Sequence, residues 1–305
     1  MPGSPTPAEP RRNVLRGIGF MLFSIFIFSM ANVFSKWILA FYPPAQIFFI
    51  RGFAALAVLT PFLARERFAA LNNVPRPGLQ ALRVALSVAD GMLYFTAVKF
   101  IPLVDASTCY LAAPIFVTAL SAIVLREHVG WRRWSAVLIG FAGVIIALRP
   151  TGAAFSWYAL IALAGCLCSS VLMMVTRHVR GTPDIVLAVS QIAGSFAFGG
   201  LLSVFMWVTP TWAIVLMILI SGIVNVCGLL CANRALKLAP ASVIAPFQYT
   251  AIVWALIAGY LAFGDTPSVN TILGAVIVTS AGIYIFLRER KVMHREPEPN
   301  PPQTV

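Results

Sequence analysis

The sequence has little charge of either sign and very few acidic residues. Asp and Glu together number 10 in 305 residues, and all charged residues make up 10% of the chain. Soluble domains carry about 25% charged residues, so this composition excludes an ordinary soluble protein. Hydrophobic residues make up 60% of the chain, and they are gathered into runs of roughly 20, the length that crosses a bilayer as a helix. The composition predicts an integral membrane protein with a single membrane domain.

Residue clusters that support enzymatic chemistry are also missing. The three histidines, His128, His178 and His294, are scattered, and no loop contains paired acids. An integral-membrane lipid-group transferase, the alternative function that we keep open, usually needs such clusters to hold Mg²⁺. The sequence has no phosphate-binding Gly-Lys loop, and its five cysteines all lie within apolar runs. We therefore expect no ATP hydrolysis, disulfide framework, metal site, cofactor or enzymatic activity.

The apolar runs define the predicted fold, which is all-α and integral to the membrane. Ten transmembrane helices are predicted, at 15–39, 44–64, 80–100, 102–125, 131–149, 157–177, 184–207, 212–236, 240–263 and 268–287. The proline-containing ends of the chain, 1–14 and 288–305, are predicted to be disordered cytosolic tails.

The positive charges are distributed unevenly along the chain. If the N-terminus is cytosolic, eighteen of the 22 Lys and Arg residues fall at cytosolic ends of the predicted helices. This is the bias that orients membrane proteins, so the net charge of +12 does not indicate a nucleic-acid partner. We predict a multi-pass protein of the bacterial inner membrane with both termini in the cytosol.

One pattern occurs twice in the chain. Three pairs of similar residues are each separated by 138 positions: Lys99 and Lys237, Pro102 and Pro240, Glu127 and Asp265. The repeat predicts two five-helix units, at 15–149 and 157–287. Because five is an odd number, the second unit enters the membrane from the opposite side, so the repeats are inverted. Inverted repeats are typical of secondary transporters.

Several short segments carry a family resemblance. They are Asn32–Lys36, Ile50–Gly52, Ala113–Phe116, Leu125–Glu127 ahead of Trp131, Gly140–Val144 and Ala245–Tyr249. With the ten apolar runs, they resemble the drug/metabolite transporter superfamily, and within it the family built from two EamA-type repeats. The resemblance covers nearly the whole chain. It implies a transporter similar to exporters of amino acids and other metabolites, or to importers of riboflavin or S-adenosylmethionine. Asn32–Lys36 and Pro246–Tyr249 are most similar to the importer subgroup.

Asp90 is the one carboxylate near the centre of a predicted helix. A charged carboxylate there costs about 2.5–3.5 kcal/mol on insertion scales, so we expect it to face a cavity, to be protonated or to be paired. Two interpretations stay open: Asp90 couples transport to protons or binds a substrate amine, or it forms a structural pair with Arg51. Arg51 has a similar choice, because its planar guanidinium suits a substrate carboxylate or phosphate as well as a structural acceptor.

The predicted substrate site lies between the two halves. In inverted-repeat transporters the site is near the middle of the membrane and is lined by broken helices. Pro114 and Pro246 predict such breaks, because a proline leaves the carbonyl four residues earlier without its helical partner. Polar and aromatic residues at that depth are the candidate substrate-binding residues: Asn32, Arg51, Asp90, Tyr94, Tyr110, Gln191, Asn225, Gln248 and Tyr249.

The charged residues near predicted helix ends receive a structural interpretation. Lys36, Lys99 and Lys237 are expected to extend to the membrane surface, and Asp265 is expected to mark a helix connection. The predicted function is a secondary transporter that moves a small organic metabolite, such as an amino acid, vitamin or nucleoside-like compound, by alternating access. Its predicted partners are this substrate, the lipid bilayer and, as a candidate coupling ion, the proton. The protein is predicted to be a monomer or a homodimer.

Overall fold

A computed structural model describes residues 8–65, 76–124, 131–148, 157–179, 182–238 and 245–293, which contain helices and no strand. The helices are α1 Ala8–Leu39, α2 Pro44–Arg65, α3 Pro77–Phe100, α4 Leu103–Tyr110, α5 Ala113–Val124, α6 Trp131–Leu148, α7 Trp157–His178, α8 Asp184–Ser203, α9 Trp212–Leu238, a 3-10 helix Ala245–Thr250, α10 Ala251–Phe263 and α11 Val269–Met293.

These helices make ten membrane spans. Within the described ranges, seven segments are long and apolar enough to cross a bilayer, and three shorter apolar helices complete the set. Helices α4 and α5 form one span, and the 3-10 helix continues into α10 to form another. The predicted fold class, ten transmembrane helices in two five-helix repeats, is confirmed.

The helix ends differ most from the predicted spans at three places. Helix α1 begins at Ala8 and α11 ends at Met293, so both extend beyond the apolar runs. Helical hydrogen bonds stay within the segment, so a helix can continue past the bilayer with polar residues. Helix α8 ends at Ser203 rather than Trp207. The chain after it is held by Gln46, which donates to the Val208 carbonyl at 2.7 Å and accepts from the Val208 N–H at 3.2 Å. The remaining parts of the predicted tails lie outside the described residues.

The break in the fourth span has the predicted cause. Helix α4 ends at Tyr110 and α5 begins at Ala113, next to Pro114. The Tyr110 carbonyl, which Pro114 leaves without its helical donor, lies 3.8 Å from the Cys166 thiol of α7. In the ninth span Pro246 lies in the 3-10 helix. The carbonyl that Pro246 is predicted to leave without a donor belongs to Ser242, which lies outside the described residues. A neighbouring helix therefore covers the carbonyl freed at the first break.

The two halves are interleaved by symmetric helix pairs. Helix α1 packs against α9, and their repeat mates α7 and α3 pack against each other in the same way. Helix α2 packs against its own mate α8, and α6 packs against its mate α11. Every first-half span therefore contacts the second half, and the interface between halves runs through the whole bundle.

The α6–α11 pair depends on two facing glycines. A Cβ atom at Gly274 would lie 2.6 Å from the Gly143 carbonyl oxygen and 2.6 Å from the Ala147 Cβ. A Cβ at Gly143 would lie 3.1 Å from the Gly274 carbonyl oxygen. In a bilayer the hydrophobic effect does not drive helices together, so helices associate through the close packing that small residues allow. Because backbone atoms block both positions, a larger residue would push the helices apart.

We therefore expect Gly274→Leu to destabilise the protein by about 1–3 kcal/mol, the usual cost of overpacking. The measurement is thermal unfolding of the purified protein in detergent. The matched control is Gly19→Leu, because a Cβ at Gly19 in α1 would meet nothing within 4 Å. Equal unfolding temperatures for the two variants would show that the glycine contact is not needed.

Candidate functional site

The side chain of Asp90 lies on α3, near the middle of its span. The hydroxyl of Tyr110, at the end of α4, donates a hydrogen bond of 2.6 Å to Asp90 Oδ1. The ring of Tyr94, one helical turn after Asp90, packs edge-on against the Tyr110 ring with centroids 5.0 Å apart. The structure thus brings together three of the nine predicted site residues, and it gives the carboxylate a hydrogen-bond donor from the broken span.

Helix α7 of the second half closes one side of this cluster. A Cβ atom at Gly165 would collide with the Tyr110 hydroxyl, so the missing side chain lets that hydroxyl lie against α7. Ser169, one turn further along α7, faces the Asp90 carboxylate. The cluster of Asp90, Tyr94 and Tyr110 is therefore bounded by helices from both repeats.

Arg51 does not pair with Asp90. Its guanidinium lies over the Phe95 ring, with the central carbon 5.7 Å from the ring centroid. Among the residues that the structure describes, Arg51 has no ion pair and its guanidinium has no hydrogen bond. The structural pair that the sequence left open is not formed here. Arg51 is a half-buried cation inside a membrane span, with an aromatic face on one side.

The two asparagines lie on helices that pack together. Asn32 is on α1 and Asn225 is on α9, and both are half-buried. Within the described ranges neither side-chain amide has a hydrogen-bond partner. Each therefore offers a donor and an acceptor to a ligand or to water.

The predicted residues of the ninth span have different surroundings. Gln248 is exposed. Tyr249 is buried in a core cluster with Leu111 and Ile115. Its hydroxyl has no hydrogen-bond partner in the described part of the chain and lies against Gly282, where any side chain would collide with it.

Gln191 belongs to a separate polar cluster around Arg83. Arg83 is buried on α3, and its guanidinium donates to Gln191 at 3.4 Å, to Ser190 at 2.8 Å and to the Leu187 carbonyl. It also donates to Gln80 at 3.3 Å. Arg83 is one of the eighteen cations that the charge bias predicts at cytosolic helix ends. The sequence contained a signal that Arg83 faces the bundle interior. Arg83, Ser87, Asp90 and Tyr94 recur at helical spacing and therefore share one face of α3.

An ion pair joins the two halves at the end of the bundle where α1 and α10 end. Lys36 Nζ lies 2.7 Å from Asp265 Oδ2, and their side chains are only 14% and 20% exposed. Lys36 also lies 4.6 Å from the centroid of the Phe263 ring. Lys36 therefore binds a carboxylate in the connection that follows α10, and its extension to the membrane surface stays a prediction.

A second polar contact crosses between the halves at the same end. Thr271, in the first turns of α11, donates to Asp105 Oδ1 of α4 at 2.8 Å. Together with the Lys36–Asp265 pair, it ties α1 and α4 of the first half to the last two spans of the second.

A helical bundle with this symmetric packing matches a known family. The family model described as EamA-like transporter family matches residues 15–149 and 156–288, so it covers both halves. The chain belongs to the EamA-like transporter family. It is therefore a multi-pass membrane protein of a transporter family, as the sequence predicted.

Relatives of this EamA-like chain cover most of its length. A riboflavin transporter of Rhizobium johnstonii is 28% identical, covering 95% of this chain and 96% of the relative. An S-adenosylmethionine uptake transporter of Rickettsia felis is 26% identical, covering 94% and 98%. A pseudopaline exporter of Pseudomonas aeruginosa is 28% identical, covering 88% and 95%. A solved crystal structure shares the fold with a TM-score of 0.62 at 18% identity, covering 92% of this chain and 99% of that one.

Proposed function

We propose that this protein is a secondary transporter that moves a small organic metabolite across the bacterial inner membrane by alternating access, with both termini in the cytosol. The observation that carries the proposal is the polar cluster of Asp90, Tyr94 and Tyr110, which lies within the membrane spans and is bounded by helices of both repeats. A carboxylate at this depth is costly, which favours a functional role. Family membership supports transport rather than catalysis.

The proposed site extends from this cluster to the polar groups that have no internal partner. Asn32, Arg51 and Asn225 offer hydrogen bonds, and Tyr94 and Tyr110 offer aromatic faces. Gln191 is proposed to contribute through Arg83, which it contacts. Gln248 and Tyr249 follow Pro246 on the broken ninth span, and we propose that they complete the site from the second half.

The proposed substrate is an amino acid, a vitamin or a nucleoside-like compound. A set of amides, one acid and aromatic rings suits a ring-bearing or zwitterionic metabolite better than a lipid or an inorganic ion. The relatives named for riboflavin, S-adenosylmethionine and pseudopaline transport metabolites of these general kinds. Their names include both uptake and export.

The experiment begins with purified protein and a thermal-stabilisation screen of amino acids, vitamins and nucleosides, including riboflavin and S-adenosylmethionine. Each stabilising compound is then tested in liposomes loaded with the unlabelled form and diluted into a radiolabelled trace. A transporter accumulates the label by counterflow, whereas liposomes without protein do not. If no compound shows counterflow and a radiolabelled lipid is converted to product, the protein is the transferase that we kept as the alternative.

A further inference from the structure

Arg51 is a cation whose described surroundings provide an aromatic face but no acceptor. Three acidic side chains are described, and all three are engaged elsewhere: Asp90 with Tyr110, Asp105 with Thr271 and Asp265 with Lys36. We propose that Arg51 is an anion subsite within the membrane, which binds a carboxylate or phosphate group of the transported metabolite. This inference rests on the proposed transport function and specifies the class of its substrate.

The guanidinium of Arg51 is chemically suited to bind an oxyanion. Charged side chains within a membrane span face a water-filled cavity or a partner, because lipid does not solvate them. Phe95 covers one face of the planar group, while hydrogen bonds form in the plane at the N–H edges. A carboxylate or a phosphate fits those edges with two parallel hydrogen bonds. The stacking on Phe95 thus leaves open the directions that an oxyanion uses.

Arg83, which is buried on α3, provides a comparison. Pro43 and Pro183 accept equivalent first hydrogen bonds of α2 and α8, so Arg51 and Gln191 lie at matching positions, about two turns further on. Gln191 faces α3, and there the Arg83 guanidinium donates hydrogen bonds to four acceptors. The α9 residue that lies against the Arg51 backbone is Gly222, which has no side chain. Within the described residues the Arg51 guanidinium has no hydrogen-bond acceptor. The fold satisfies one arginine internally and not the other.

The backbone that carries Arg51 packs against α9 on one side and α8 on the other. A Cβ atom at Gly222 of α9 would lie 2.5 Å from the Arg51 carbonyl oxygen. A Cβ atom at Gly52 would lie only 2.8 Å from the Phe196 Cβ, so the backbone next to Arg51 also lies directly against α8. Both neighbouring helices belong to the second half. A ligand on the Arg51 side chain would therefore bind at the interface between halves, on a preorganised cation.

The test compares compounds that differ only in the anionic group. Riboflavin 5′-phosphate is paired with riboflavin, and S-adenosylmethionine is paired with its decarboxylated form. Equilibrium binding of each is measured on the purified wild-type protein and on Arg51→Gln. We expect wild type to bind at least one anionic member roughly 10- to 150-fold more tightly than Arg51→Gln does, the range for a charged hydrogen bond. Affinity for the partner compound that lacks the anionic group should change little.

The matched control is Arg132→Gln, because Arg132 also lies over an aromatic ring, 5.5 Å from the centroid of Trp131, but is exposed. It should retain the anion preference. If Arg51→Gln does not fold, Arg51→Lys keeps the charge without the planar fork and should reduce the preference about tenfold. Equal binding of every anionic member by wild type and the Arg51 variant overturns the anion subsite. Counterflow of any screened metabolite in the same liposomes would show that transport stands even then, whereas its complete absence counts against the transporter itself.

Discussion

Transport by an Asp90→Asn variant should no longer respond to pH. The amide keeps the shape of the side chain and its contact with Tyr110 but removes the group that gains and loses a proton. If Asp90 carries the coupling proton, the variant should lose accumulation driven by a pH gradient while retaining counterflow, which needs no net proton movement. The measurement is the initial rate of both processes in liposomes at external pH values from about 5 to 8.

The control for this prediction is Tyr110→Phe, which removes the hydrogen-bond donor and leaves the acid. That variant should retain a pH response but shift it, because the hydrogen bond acts on the charged form of the carboxylate. An unchanged pH profile in a well-folded Asp90→Asn protein would show that the coupling site lies elsewhere. If Asp90→Asn fails to fold, while Ser203→Ala, outside the cluster, folds normally, the carboxylate is structural.

Breaking the Lys36–Asp265 ion pair should reduce transport at least about tenfold, and exchanging the two charges should restore it. The pair joins α1 to the connection that follows α10, so it stabilises any conformation in which this end of the bundle is closed. Removal of one partner leaves the other charge in a poorly solvated position, and a tenfold change in a conformational equilibrium needs only about 1.4 kcal/mol. The variants are Lys36→Asp, Asp265→Lys and the double exchange, tested by counterflow.

The control is Lys99→Asp, because Lys99 lies at the same end of the bundle over the Phe100 ring. Combining Lys36→Asp with Asp265→Lys should restore transport, whereas combining Lys99→Asp with Asp265→Lys should not. If the double exchange is as inactive as either single variant while all three fold, the residues act separately and not as a pair. If both single variants transport at the wild-type rate, the pair has no role in closure.

The local features of the fold were accessible from the sequence because they depend on short-range physics. Apolar runs of bilayer length predict spans, since a backbone in lipid must form its hydrogen bonds within a helix. Pro114 predicts the break between α4 and α5, since proline lacks the N–H that the Tyr110 carbonyl needs. Depth in the span singled out Asp90, and this did not require knowing which helices are neighbours.

The partners of these residues could not be obtained in the same way. Tyr110 bonds to Asp90 although 20 positions separate them, and Lys36 pairs with Asp265 across 229 positions. Sequence spacing contains no information on such contacts, because they depend on which helix faces which after packing. Gln191 illustrates this point, since it was predicted to line the substrate site but contacts Arg83.

The membrane class, the ten spans and the two five-helix repeats could be predicted from the sequence, because hydrophobic length and helical geometry act within one segment. The pairing of the polar groups depended on how the helices pack. The tertiary structure gave Asp90 a tyrosine rather than Arg51, gave Lys36 the carboxylate of Asp265, and left Arg51 over Phe95 without an acceptor among the described residues. The physical reason is that a buried charge is stabilised only by groups within a few ångströms, and the packing of the two interleaved halves alone determines which groups those are.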